Sequence, residues 1–180
     1  MKNASILTFL VFVGLIVSCK SSKLPKGEQF IDDPCMKDGK SSSDYFRANA
    51  TGESMDQNTS YDLAYASCTE RLASSMNQKI ERMTDKYSED NKVGNGEDFK
   101  QKFQNLSRTV VTQSLIGVSV TCNKTVKTQE GKYKTYLAVE LSATDLLNKY
   151  HQAISKDEQL KLDYDYEKFK KEFEKEMNKN

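Results

Sequence analysis

The feature that most constrains this chain is a stripe of small side chains. Ser60, Ala64 and Cys68 are followed by Leu72, Met76, Ile80 and Met83, recurring every three or four residues. That period specifies a long helix burying one face. Its first turns carry no bulk, so the helix backbone can come close to whatever it packs on, here a sheet. Downstream, Ile116, Val118, Val120 and Cys122 alternate with Gly117, Ser119 and Thr121. Thr128-Gln129-Glu130-Gly131 turns the chain, and Tyr133, Thr135, Leu137, Val139 and Leu141 alternate on the return. Alternation on both sides of a Gly-bearing turn predicts a hairpin with one face buried, Cys122 pointing inward with Val118 and Val120.

The remaining elements fall around these two. Tyr45 to Gly52 reads as a first strand, with Gly52 and Met55-Asp56-Gln57-Asn58 as the turn, and Thr59 or Ser60 as the cap of the long helix. Phe99, Phe103, Leu106 and Val110 predict a second helix over about 97–112. Ser142 or Thr144 caps a third from about 144 to 155. Leu162, Tyr166, Phe169, Phe173 and Met177 keep a helical stripe through the charged C-terminal stretch. The fold class is α+β.

The N-terminus predicts a location. Met1-Lys2-Asn3 is basic, Ile6 to Val17 is apolar, and Ile16-Val17-Ser18-Cys19 resembles a lipobox. An apolar run of roughly 12 residues is too short to span the ~30 Å core of a bilayer. The expectation is a signal peptide over 1–18, with Cys19 as the acylated new N-terminus. Two or three acyl chains anchor far more firmly than one. Residues 19–43, rich in Gly, Pro, Ser and charge, read as a flexible tether. Residues 44–155 form the α+β domain and 156–180 the charged amphipathic helix. Lys20 after Cys19, in place of Asp, points to the outer membrane, with the protein anchored at its periplasmic face.

Charge excludes some partners. The chain has 27 basic and 26 acidic side chains, and cleavage removes Lys2 alone. The mature chain is formally neutral, which argues against nucleic acid as a partner and against polybasic membrane docking.

Motifs with chemistry are sparse. His151 is the single histidine and has neither a nucleophile nor an orienting acid specified nearby. Asp163-Tyr164-Asp165-Tyr166-Glu167 lacks the Gly and later Glu of a calcium loop and reads as the acidic opening of the last helix. Gly94-Asn95-Gly96-Glu97 has no preceding strand and no Lys-Ser, so it is not a phosphate loop. The Tyr residues and Arg47 could line a ligand groove, or serve as half-buried sheet side chains. Cys35, Cys68 and Cys122 leave one odd thiol after one bridge. Cys68, on the helix stripe, reads as a small buried hydrophobe. No metal or cofactor site is expected.

These motifs carry a resemblance. The lipobox and tether, Tyr45-Phe46-Arg47-Ala48 with Gly52, the helix with small residues at every fourth position, and the hairpin ending Tyr136-Leu137-Ala138-Val139 together resemble the Lpp-twenty family. Its members are twenty-kilodalton bacterial outer-membrane lipoproteins, and this chain is similar to the Bacteroidetes-type version. The resemblance covers about residues 35–150 and departs at Cys68-Thr69, where related chains tend to carry Ala then Arg. It implies a dodecin-like β-α-β-β core, a long helix on a three-stranded antiparallel sheet, here with an inserted helix. It also implies a disulfide between Cys35 and Cys122, the rival pairing being Cys68–Cys122 with Cys35 free. It implies no enzymatic activity. The expected function is that of a non-catalytic, lipid-anchored envelope lipoprotein that contacts another envelope protein or itself. The alternative is a small-molecule or glycan binder.

Overall fold

The computed structural model describes residues 31–90 and 96–179. Cys19 and the lipobox lie outside the described residues. From Asp32 onward the described chain belongs to one compact unit. Its elements are β1 (Tyr45–Ser54), α1 (Gln57–Asp90), α2 (Gly96–Ser114), β2 (Ser119–Lys127), β3 (Tyr133–Ser142), α3 (Ala143–Lys156) and α4 (Tyr166–Met177). The architecture is α+β, with a three-stranded antiparallel sheet in the order β1-β3-β2 packed against helices.

α1 covers one face of the sheet through the small stripe. Ser60, Ala64, Cys68 and Leu72 are fully buried. Gly52 is the matching feature on β1. A Cβ placed there would lie 2.2 Å from the Ser60 carbonyl oxygen and 2.5 Å from the Ala64 nitrogen. Gly52 is therefore not part of the turn that the sequence suggests. It sits inside β1, which runs on to Ser54, because only hydrogen fits between the strand and the helix backbone. Hydroxyls fasten the same contact: Ser60 Oγ lies 2.7 Å from Thr135 Oγ1, which lies 2.9 Å from Thr125 Oγ1.

The cap of α1 also differs from expectation. Asp56 accepts from the Thr59 N–H at 2.8 Å and from its hydroxyl at 3.0 Å, so Asp56 is the N-cap. Those bonds hold its carboxyl below the usual range. Ser60 instead donates back to the Gln57 carbonyl from a buried position. Ser142 does cap α3, accepting from the Asp145 N–H at 3.2 Å.

The second half of α1 packs against α2 and α4. Tyr87, Phe99, Phe103, Tyr150 and Phe169 form an aromatic core there, with centroids 5.6–6.4 Å apart along its contacts. Both buried phenols are satisfied. Tyr150 Oη is 2.9 Å from Ser107 Oγ. Tyr87 Oη donates to the Asp163 carbonyl and accepts from the Asp165 N–H. Burial pushes both hydroxyls above the ordinary tyrosine value.

In the C-terminal stretch Leu160, not Leu162, joins the core. Leu162 is 80% exposed, because a short 3-10 turn over Leu160–Leu162 breaks the helical phase before α4 begins. α4 is fastened to α1 at its far end. Lys79 donates to the Glu176 carbonyl oxygen, while the Glu176 carboxylate pairs with Arg82 and Lys179 at 2.7 Å. Burial raises the Glu176 pKa, but these two cations outweigh it and hold the carboxyl below its usual value.

Candidate functional site

The sheet face turned away from α1 and the strand at its edge form the candidate site. β3 has a buried core side, Thr135, Leu137, Val139 and Leu141, as alternation predicts. β2 does not follow the predicted parity. The strand starts at Ser119 and carries a bulge between Val120 and Cys122. Val120 pairs with Val139 on the core side, whereas Cys122 pairs with Ala138 on the other side. Directly paired residues share a face, so Cys122 points away from α1 and not inward. One extra residue, Thr121, inverts the alternation. Ile116, expected in this strand, sits in a 3-10 turn and is 88% exposed.

What covers that outer face is the chain before β1. Cys35 is joined to Cys122 by a disulfide, and Cys68 is the free, buried cysteine. The Cys68 thiol donates to the Leu137 carbonyl from the helix side of the sheet, and burial pushes its pKa up. The rival Cys68–Cys122 pairing fails because the two side chains lie on opposite faces. The turn after Cys35 brings Gly39 so close to Asn49 that a Cβ would meet the Asn49 Cβ at 2.5 Å. Ala138 is fully buried beneath this segment. Residues 32–42, the distal part of the expected tether, thus lie in turns on the sheet, held by the bridge.

The same segment seals the β1 edge. Ser41 Oγ accepts from the Arg47 N–H at 2.9 Å and donates to the Arg47 carbonyl at 3.2 Å. The Ser42 N–H donates to the Tyr45 carbonyl. Arg71 crosses from α1 to donate to the Asn49 carbonyl at 2.9 Å. The Arg47 guanidinium is spent on Glu140 at 2.8 Å and lies over the Tyr45 ring.

The β2 edge carries no such covering among the described residues. Its exposed side chains include Val120 and Val126, at 43% and 47% exposure, and Lys124. Lys127 lies 5.5 Å from the Tyr133 ring centroid, and Lys134 lies 5.0 Å from that of Tyr136. The Tyr136 side chain holds Lys134 in its charged form, raising its pKa. Lys132 is raised likewise by Glu53 and Glu130.

Concavities elsewhere lie between helices. One of about 260 Å³ lies between α1 and α2, with Asn77, Glu81, Gln104 and Arg108 around a floor of Ile80 and Phe103. Another lies between α3 and α4, beside Tyr166 and Phe173. His151 contacts Tyr164 Oη at 3.2 Å and the Tyr166 ring, with no nucleophile among its described partners. Asp165 caps α4 by accepting from the Lys168 N–H, and Glu167 sits in its first turn, as the acidic run suggests. Cys35, Asp38 and Cys122 are the described side chains close enough to hold a metal, and the bridge consumes both sulfurs.

Comparison of the chain with protein-family models, with curated proteins and with solved structures finds no match.

Proposed function

We propose that this protein is a non-catalytic, lipid-anchored lipoprotein of the bacterial envelope that works through protein contacts. In this reading Cys19 carries the acyl chains, and the domain faces the periplasm from the outer membrane. The observation that carries it is the Cys35–Cys122 disulfide. Disulfides of this kind persist in oxidising compartments such as the periplasm. This one also fixes the chain at Cys35, so the anchor is joined to the sheet at β2 and not to a loose end. The 15 residues from Lys20 to Pro34 separate Cys19 from Cys35 in sequence.

The β-α-β-β order and the helix laid across one sheet face support the dodecin-like reading and the Lpp-twenty resemblance. The composition of the surface supports protein contact over chemistry: its described charges are of both signs and interspersed, several of them in ion pairs.

Mass spectrometry of the protein purified from envelope fractions tests the anchor. The expected N-terminal peptide begins at Cys19 and carries diacylglycerol and an amide-linked acyl chain. A mature N-terminus without acyl mass, or recovery in the cytosolic fraction, overturns the reading. In-cell crosslinking of the lipidated protein then identifies the partner.

A further inference from the structure

We propose that the open edge of β2 is a docking strand for an extended acidic peptide of a partner protein. The inference deepens the protein-contact reading above and rests on it.

Backbone direction comes first. Both the N–H and the C=O of Arg47 bond to Ser41, so the odd-numbered residues of β1 turn outward and the even-numbered ones turn to β3. In an antiparallel ladder the directions alternate from pair to pair. Leu137 and Val139, paired with Ala50 and Ala48, therefore turn to β1, while Lys134, Tyr136 and Ala138 turn to β2. Their partners Val126, Lys124 and Cys122 spend their backbone groups inside the sheet. Asn123, Thr125 and Lys127 turn both N–H and C=O outward. None of those groups has a hydrogen-bond partner among the described residues. The corresponding positions on β1 are closed by Ser41, Ser42 and Arg71.

Charge chooses the occupant. β2 carries Lys124 and Lys127 and no acidic residue. Neither lysine takes part in an ion pair among the described residues. An edge strand with lysines and a bulge repels a second copy of itself. The same two features accept an acidic strand, since repelling one partner and attracting another are two sides of specificity. Lys124 and Lys127 are an odd number of residues apart, so they address carboxylates on both faces of the incoming strand. The bulge at Thr121 limits straight pairing to Cys122–Lys127, about 20 Å of strand. Val126, half exposed beside Lys124, offers the apolar contact. The disulfide at Cys122 holds the edge in place before binding, which lowers the cost of ordering it.

The test uses the mature acylated chain in detergent micelles and two fluorescent heptapeptides, Thr-Glu-Val-Thr-Glu-Val-Thr and its counterpart with Lys in place of Glu. Fluorescence anisotropy is expected to show the acidic peptide binding at least about tenfold tighter than the basic one, weakening with salt. The double variant Lys124→Glu/Lys127→Glu reverses the preference. Asn123→Pro removes an outward N–H that the sheet does not use and weakens acidic-peptide binding about tenfold. Its melting temperature and Cys35–Cys122 bridge report that it folds. No binding of the acidic peptide at millimolar concentration, or equal binding of both peptides, overturns the inference. So does binding indifferent to Asn123→Pro in a folded variant. A dimer seen by sedimentation and lost in Asn123→Pro overturns it in favour of a second copy. Failure of the peptide with Cys19 found acylated sinks the docking strand alone, while an unmodified Cys19 sinks the envelope reading.

Discussion

The two edges of the sheet are treated in opposite ways. β1 is closed by chain that lies just before it in sequence. Ser41 and Ser42 occupy its backbone groups near Arg47 and Tyr45, and Arg71 reaches Asn49 from α1. Gly52 lets α1 press on its other end. β2 lies on the far side of β3, beyond the reach of α1, and a single covalent bridge ties it to the rest of the outer face. An edge can be sealed by residues a few positions upstream at small entropic cost, because the loop they close is short. β2 has no such neighbour and depends on a bridge between residues 87 apart.

The largest test of this contrast removes the bridge. Cys35→Ser with Cys122→Ser is expected to lower stability by about 4 kcal/mol, the loop-entropy value for a closure of this length. That corresponds to a fall in melting temperature of about 10 °C. Hydrogen exchange should accelerate in β2 and in residues 32–39, and much less in β1. Equal acceleration in both edge strands would show that β1 also relies on the bridge. Next comes Gly52→Ala, which forces a methyl group against the Ser60 carbonyl and the Ala64 nitrogen. Backbone cannot yield as a side chain can, so the expected loss is about 3 kcal/mol. Gly117→Ala, on the β2 side, meets nothing within 4 Å and should change stability by less than about 0.5 kcal/mol. Urea titration of both variants checks the pair.

How much of this was legible depends on how each element is buried. α1 and β3 were readable because each buries one complete face, so the 3.6 and 2.0 periods survive in the sequence. Ser142 was readable because a hydroxyl stands directly before the apolar residues of α3. The β2 parity was not. A Val stands on each side of the bulge, Val120 on the core face and Val126 on the outer one, and an inserted Thr121 between them leaves no mark in the sequence. The covered outer face was hidden for a similar reason. Ser41-Ser42-Ser43 has the composition of a tether, yet two of those serines are spent on Tyr45 and Arg47. Asp56 is hidden as a cap because Thr59 and Ser60 stand closer to the stripe. Gly52 looked like a turn because close approach to a helix and a turn both select glycine. The disulfide pairing came from family resemblance, since counting three cysteines leaves the odd one undetermined.

A smaller effect tests how β2 is held from the core side. Ser60, Thr135 and Thr125 form a hydroxyl chain from α1 through β3 to β2. Thr135→Val keeps the shape and removes the shared oxygen. Ser60 retains its bond to the Gln57 carbonyl, so only part of the chain is orphaned. The expected cost is about 1–2 kcal/mol, read by chemical denaturation. Exchange should rise at Lys124 and Val126, whose backbone groups bond to β3, more than at Gly52, since β1 keeps its own contacts with α1.

A smaller effect still belongs to Arg71. Its guanidinium donates to the Asn49 carbonyl at an exposed position, so water can replace it when it is gone. Arg71→Ala should therefore cost only about 0.5 kcal/mol. The informative readout is local. Asn49 lies next to the Arg47–Ser41 contacts, and these remain in the variant. If β1 is sealed by several independent contacts, amide exchange at Arg47 stays slow when Arg71 is removed. If removal speeds exchange along the whole strand, the seal is a single cooperative lock with Arg71 as its last link. In that case β1 differs from β2 in which residue secures it, and not in being secured many times over.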